Sequence, residues 1–187
     1  MKNLLSILLF YLFVSCNQIN NDSNNEKNIN SLYAEKTSEL INSFIEEEYR
    51  FCEFLLEPNE GFESFDVYTF WTEAEFKEFL YKTFELKDEI DYNSLIGINE
   101  KLEIDQKLLK NKIKLVSRKE FDSIFSIKDL SIKAKAKEDF QKKYLSMCYM
   151  SKPIFDKDFK TAIIDFGIGG CLVSDPYIYR FINGKWE

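Results

Sequence analysis

The best candidate for a chemical site in this sequence is a glycine-rich run near its C-terminus, Gly167-Ile168-Gly169-Gly170-Cys171. Backbone amides in such a loop can approach an anion, and Cys171 could act as a nucleophile. The chain has no histidine to serve as the base, and neither a phosphate-binding lysine nor dinucleotide-binding glycine spacing is present. The run therefore indicates a bulge or wide hairpin loop, where positive φ angles are needed.

The composition of the 187-residue chain argues against several further kinds of catalytic and metal-binding site. Without histidine there is no Ser-His-Asp or Cys-His catalysis and no zinc motif that requires imidazole. The four cysteines form no CxxC pair, so a cysteine-only zinc site has no support. A net charge of −7 disfavours nucleic acid as a partner. We therefore assign no catalytic residue, no metal ligand and no cofactor-binding residue from the sequence.

Three aspartates could bind a cation or move a proton. Asp156 and Asp158 begin like a calcium loop, but Lys160 occupies the third ligand position and no glycine follows at the sixth, which favours a simple turn. Asp165 interrupts an apolar strand and could pair with a glutamate as in glycosidases. The alternation of that strand favours a solvent-facing position for Asp165 instead.

The cysteines beyond the leader could form a disulfide in an oxidising compartment. Cys148 and Cys171 both fall in the predicted β region, which makes them the favoured pair. Cys52 falls on the apolar face of a predicted helix and is expected to be a small buried side chain. The odd count leaves at least one of the three thiols free.

Residues 1–15 are typical of a secretory signal peptide, because one lysine precedes an apolar stretch over residues 4–14. That stretch is shorter than the roughly 20 residues that span a bilayer. The sequence Phe13-Val14-Ser15-Cys16 resembles the lipobox of bacterial lipoproteins. The resemblance implies cleavage before Cys16 and fatty acyl chains such as palmitate at that residue. The alternatives are an ordinary cleaved signal or an uncleaved anchor, with Cys16 incidental.

Residues 16–30 predict a flexible tether between this anchor and a folded domain. Half of residues 17–30 are asparagine, and so little of the segment can be buried that its ordering cost is not repaid. A random coil of this length reaches roughly 20 Å.

Residues 31–187 predict a single domain of the α+β class, with N-terminal helices packed on one face of a C-terminal antiparallel sheet of three to four strands. Apolar spacing predicts a helix from Ser31 to about Leu56. Capping boxes are predicted where Thr72 precedes Glu75 and where Ser117 precedes Glu120.

The predicted strands lie in the C-terminal third of the chain. Asn183-Gly184 predicts a two-residue hairpin turn before a short last strand at an edge. Alternation places Tyr177, Tyr179 and Phe181 on one face, as core residues or, alternatively, as a platform for sugar or peptide.

The segment from Ser151 to Trp186 is similar to a C-terminal module of uncharacterised bacterial cell-envelope proteins, a similarity that implies no known activity. We expect a lipid-anchored envelope protein on the periplasmic or cell-surface side that binds another molecule without catalysis. Its partners would be the membrane, through the lipid, and another envelope protein or a glycan. The alternatives are a carboxylate-dependent hydrolase acting on envelope glycans and an immunity or inhibitor protein.

Overall fold

The computed structural model describes residues 28–46, 49–58, 72–110, 112–168 and 176–187. The predicted leader, Cys16, Cys171 and most of the glycine-rich run lie outside these ranges. The helices within them are α1 (residues 28–46), α2 (Glu73–Thr83), α3 (Glu89–Asn93), α4 (Arg118–Phe125) and α5 (Leu130–Lys143), with a 3₁₀ turn at Gln106–Leu108. The strands are β1 (Phe54–Leu56), β2 (Lys114–Val116), β3 (Met147–Met150), β4 (Ile154–Phe155), β5 (Thr161–Ile164), β6 (Phe166–Ile168), β7 (Tyr177–Ile182) and β8 (Lys185–Trp186).

The strands form two four-stranded sheets, and with the helices they give the α+β class that the sequence predicts. The first sheet has the order β2-β1-β3-β6, with β1 parallel to both β2 and β3. The second sheet has the order β4-β5-β7-β8 and is antiparallel throughout. The second sheet is the predicted C-terminal one, and its last strand is short and lies at the edge. The partly parallel first sheet was not predicted.

One bent hairpin, residues 147–168, supplies two strands to each sheet. Its bend lies where Ser151 faces Asp165: the Ser151 amide donates to the Asp165 carbonyl over 2.9 Å, and the Asp165 amide donates to the Ser151 hydroxyl over 2.8 Å. Asp165 is half-buried there, so it is less open to solvent than the strand alternation predicts. The predicted turn at Asp156 closes the hairpin, with the Lys160 amide donating to the Asp156 carboxylate.

Helix α1 packs against both sheets. Its buried residues recur every three or four positions, as an apolar helix face requires: Tyr33, Leu40, Ile41, Phe44 and Ile45. The ring of Phe44 lies 4.4 Å from that of Phe166 in the first sheet and 5.9 Å from that of Tyr179 in the second. The helix already includes residues 28–30, which the sequence assigns to the tether.

The predicted helix extends too far towards the C-terminus. Residues up to 46 are helical, but Leu55 and Leu56 lie on strand β1, paired with Leu115 and Val116 of β2. Both leucines are fully buried there. Burial between two neighbouring strands therefore overrides a spacing that also fits a helix.

The second sheet is covered on both faces, not on one as predicted. Alternate side chains of β5 point to opposite sides: Ala162 and Ile164 join the cluster around α1, whereas Ile163 packs with residues of α2 and α3. Helices α4 and α5 pack on the first sheet, where Val116 and Phe140 share a third cluster.

Only one of the two predicted capping boxes is present. At α2 the Thr72 hydroxyl accepts from the Glu75 amide, and the Glu75 carboxylate accepts from the Thr72 amide. At α4 Ser117 makes no side-chain cap bond. The Glu120 carboxylate instead accepts from Lys143 and Tyr144 over 2.8 Å each, because the end of α5 brings two donors to it.

Gly97 fixes the loop before the bent hairpin. Its φ is +106°, and a Cβ atom there would overlap the carbonyl oxygen of Pro153. The Tyr33 hydroxyl donates to the same oxygen over 2.7 Å. Helix α1, this loop and the hairpin therefore meet at one carbonyl. Within the described ranges, every helix is too short or too polar to cross a bilayer.

Candidate functional site

A cleft of about 790 Å³ lies at the carboxyl ends of the parallel strands β1 and β2. Leu56 pairs with Val116, so the residues that follow the two strands emerge at the same edge of the sheet. In sheets with parallel strands, ligands bind in the crevice outside this edge. The lining is Glu57, Pro58, Lys101, Leu102, Glu103, Ile104, Ser117, Arg118, Lys119, Asp122, Ser123 and Ser126. We call this feature the strand-end cleft.

Glu57 joins the two strand ends across the strand-end cleft. Its amide donates to the Val116 carbonyl over 3.0 Å, and its carboxylate accepts from the Arg118 amide over 3.1 Å. The carboxylate therefore lies at the start of α4, where the exposed amides of a helix carry partial positive charge.

Four other charged groups of the cleft are held in local pairs. The Arg118 guanidinium bonds the Asp122 carboxylate over 2.9 Å, and Lys101 bonds Glu103 over 2.8 Å. The Lys101 hydrogen bond holds the pKa of Glu103 below its usual value. A general acid needs the opposite shift. The cleft thus presents charges of both signs, and the pKa of Glu103 is shifted away from the range of a general acid.

A second groove, of about 530 Å³, lies between α1 and the β7–β8 hairpin. Phe181 packs on Trp186 with 5.2 Å between ring centroids, and the Lys36 ammonium lies 5.8 Å from the Phe181 ring. The Trp186 indole N–H is buried and has no hydrogen-bond partner among the described residues.

The predicted aromatic platform is therefore reduced to Phe181, which is 37% exposed. Tyr179 is buried in the main core, and the half-buried Tyr177 packs against that core. The hydroxyls of Tyr177 and Tyr49 are 3.1 Å apart. The core interpretation is correct for both tyrosines.

The disulfide joins Cys52 to Cys148 and not Cys148 to Cys171 as predicted. Cys52 lies two residues before β1, not on a helix, and Cys148 of the neighbouring strand β3 pairs with Leu55 of β1. The two Cα atoms are 5.9 Å apart, which is within the range of protein disulfides. The pairing with Cys171 is wrong because the Cys148 sulfur is already bonded; Cys171 itself lies outside the described residues.

A buried polar cluster lies beside Gly97. The Lys152 ammonium donates to the Glu100 carbonyl over 2.8 Å, and the Glu100 carboxylate accepts from the Gly97 amide over 2.6 Å. Burial, with a smaller contribution from the Glu100 charge, raises the pKa of Tyr33 well above its usual value. The cluster fixes a loop and leaves the Tyr33 hydroxyl protonated as a donor. Among the described residues, no group of three or more acidic or cysteine side chains could hold a metal ion.

The sequence interpretation did not find the strand-end cleft, because Glu57, Lys101 and Arg118 have no common motif. Only the parallel pairing of β1 with β2 brings them together. No family model, no curated protein and no solved structure matches this chain. Its own residues are therefore the basis for assigning a function.

Proposed function

We propose that this chain is a lipid-anchored protein of the bacterial cell envelope whose domain binds another molecule without catalysing a reaction. The observation that carries the proposal is the Cys52–Cys148 disulfide. Disulfides persist in oxidising compartments and are rare in the cytosol. The bond thus supports a location outside the cytosol, which the apolar leader and the lipobox-like sequence before Cys16 also predict.

The strand-end cleft supports binding over catalysis. Its carboxylates on Glu57, Glu103 and Asp122 each accept a hydrogen bond from a neighbouring group. Such fixed charges favour the orientation of a partner that carries charge of both signs. Another envelope protein or a charged envelope glycan would meet this description.

A glycan hydrolase is the weaker alternative. Such enzymes need one carboxyl group with a raised pKa to protonate the leaving group. Among the described carboxyl groups with a resolved shift, every pKa moves down; they are Glu75, Glu89, Glu103, Glu120 and Asp129. This pattern favours ion pairing and helix capping over acid catalysis.

The anchor is tested by the Cys16→Ala variant, with Cys171→Ala as the matched control. We expect Cys16→Ala to lose labelling by radioactive palmitate and to remain as an uncleaved precursor, while Cys171→Ala retains the label. Equal palmitate labelling of the two variants would refute lipidation at Cys16. Intact mass of the native protein gives a second readout, because a free, unacylated N-terminus would contradict the proposal.

The compartment is tested by thiol alkylation of protein from cells lysed directly into denaturant, because Cys52 and Cys148 are buried in the folded domain. We expect both cysteines to react with a maleimide only after reduction, whereas in a chain made without residues 2–15 both react without reduction. Reaction of both thiols in the full chain without reductant would place the domain in a reducing compartment and refute the proposal.

Binding at the strand-end cleft is tested by photo-crosslinking in cells. A photoreactive residue at Lys119, which is exposed in the cleft, should give a discrete adduct. The same residue at Lys82, which is exposed on α2 outside the cleft, is the control. The same adducts from both positions, or none from Lys119, would contradict binding at this cleft.

A further inference from the structure

The charge of this acidic protein is distributed unevenly. Residues 112–143 contain ten lysines and arginines and five acidic residues, although the whole chain has a net charge of −7. Within this basic region, the junction of α4 and α5 also carries an excess of lysines. Residues 125–137, which we call the α4–α5 tip, hold four lysines and one aspartate.

The α4–α5 tip also exposes large apolar side chains. Leu130 is 81% exposed, Ile132 is 59% exposed and Phe125 is 44% exposed. Isolated exposed leucines are common on protein surfaces. Three large exposed apolar side chains within eight residues are typical of a surface that contacts something apolar.

The structure holds two of the lysines beside Phe125. The Lys133 ammonium donates to the Phe125 carbonyl over 2.6 Å and lies 5.7 Å from the Phe125 ring. The Lys137 ammonium lies 4.6 Å from the same ring. These contacts tie the end of α4 to the first half of α5, so the apolar and basic groups stay together at the tip.

The single acidic residue of the tip is turned towards the helix. The Asp129 carboxylate caps α5 by accepting from the amides of Ser131 and Ile132 over 2.9 and 3.1 Å. Its negative charge is therefore opposed by the start of the helix, and the lysines dominate the outward-facing surface.

We propose that the α4–α5 tip docks on a membrane that contains anionic phospholipids, with Leu130 and Ile132 entering the interface and the lysines contacting the headgroups. Exposed aliphatic side chains on a segment rich in lysine complement such a surface in both apolar character and charge. The inference rests on the proposed function in one respect: a lipid at Cys16 and a tether of roughly 20 Å reach would keep the domain beside a membrane.

Lipid contact is measured locally, since the leader or the acyl chains bring the full chain to any vesicle. Tryptophan replaces Leu130 in one variant and Leu145 in a control; Leu145 is 71% exposed and follows the other end of α5. Each variant is mixed with two kinds of vesicle, one of phosphatidylcholine alone and one that also contains phosphatidylglycerol. The lipids of both vesicles carry brominated acyl chains, which quench tryptophan fluorescence on contact. The parent chain, which contains Trp71 and Trp186, gives the background quenching that is subtracted from both variants. We then expect quenching of the tryptophan at position 130 with the anionic vesicles, and little at position 145. Equal quenching at the two positions, or none at 130, would overturn the inference.

Charge dependence is tested in the Leu130→Trp background. Changing Lys128 and Lys135 to glutamine should weaken the quenching interaction about 25-fold, since each lysine near an anionic surface contributes about fivefold. The matched control changes Lys82 and Lys87, two exposed lysines outside the tip, and should leave the interaction unchanged. An equal effect of both pairs would show attraction without docking at the tip and would contradict the proposal.

An acidic protein is the competing occupant of this surface. If soluble polyglutamate shifts the emission of the tryptophan at 130 and anionic vesicles do not, the tip binds an acidic protein and the membrane proposal is wrong. Failure of the anchor is distinguishable, because palmitate labelling reports on Cys16 alone, while supplied vesicles report on the tip whether or not Cys16 is acylated.

Discussion

Breaking the Cys52–Cys148 disulfide should greatly destabilise the protein. The bond closes a loop between residues that are 96 positions apart. Closing a loop of about this length removes roughly 16 cal/mol/K from the entropy of the unfolded chain, or about 4.7 kcal/mol at 25 °C. That is a large share of the roughly 5–15 kcal/mol that separates folded from unfolded states in ordinary domains.

The assay is urea unfolding followed by far-UV circular dichroism. With a denaturant slope of about 2 kcal/mol/M, the loss corresponds to a midpoint lower by about 2 M. Reductant should lower the midpoint of the parent chain by this amount and leave the Cys52→Ala/Cys148→Ala double variant unchanged. The double variant can be slightly less stable than the reduced parent, because both sulfurs are buried and their removal leaves small cavities.

Cys171→Ala is the control that decides between the two pairings of Cys148. Under the observed pairing this variant keeps both the parent midpoint and its response to reductant. If Cys171→Ala is destabilised as much as the double variant and no longer responds to reductant, the bond joins Cys148 to Cys171. A parent chain that does not respond to reductant would refute the loop-closure reasoning altogether.

Three further predictions concern backbone, capping and charge. Gly97→Ala should cost more than about 1 kcal/mol in the free energy of unfolding, since it adds a steric overlap to the strain of a positive φ, whereas Gly184→Ala, at a positive φ with open space around it, should cost less. Thr72→Ala should cost about 1 kcal/mol and Ser117→Ala close to none, because only Thr72 makes the side-chain cap bond. A hydrogen bond from lysine holds the pKa of Glu120 below its ordinary value of 4.5. Its contribution is complete above that value and is lost as pH falls through the lowered pKa, so Glu120→Gln should flatten the acid side of the stability profile.

Denaturant midpoints across a pH series measure all three. Equal losses at Gly97 and Gly184 would contradict the overlap with the Pro153 carbonyl. If Ser117→Ala is as unstable as Thr72→Ala, Ser117 does cap α4 and the second capping box is present. If Glu120→Gln is as sensitive to acid as the parent chain, the ion pair with Lys143 contributes nothing measurable to stability.

Most features that depend on short-range chemistry were predicted well; the exception is the capping box at Ser117, where donors from the end of α5 occupy the Glu120 carboxylate. The capping box at Thr72 needs only residues three apart. The turn at Asn183-Gly184 has φ angles of 52° and 85°, both positive as a type I′ hairpin turn requires. The turn at Asp156 likewise involves bonds within five residues. In each case the local backbone decides the conformation.

Features that depend on distant partners were predicted poorly. Leu55 and Leu56 fit the spacing of the preceding helix, and the partner that makes them a strand lies about 60 residues later, in β2. Misplacing Cys52 on that helix excluded it from the disulfide. The strand-end cleft was missed for the same reason, since its residues come from three separate segments, 57–58, 101–104 and 117–126.

The bent hairpin of residues 147–168 has a consequence for the order of folding. Its strands pair across about 20 residues or fewer, whereas β1 must reach β3 from 93 positions away. Closing the shorter loops costs less entropy, so we expect the hairpin to form first and to serve as the template on which both sheets assemble. The disulfide between Cys52 and Cys148 would then form only after β1 has paired with β3, so its formation would report that this long-range pairing is complete.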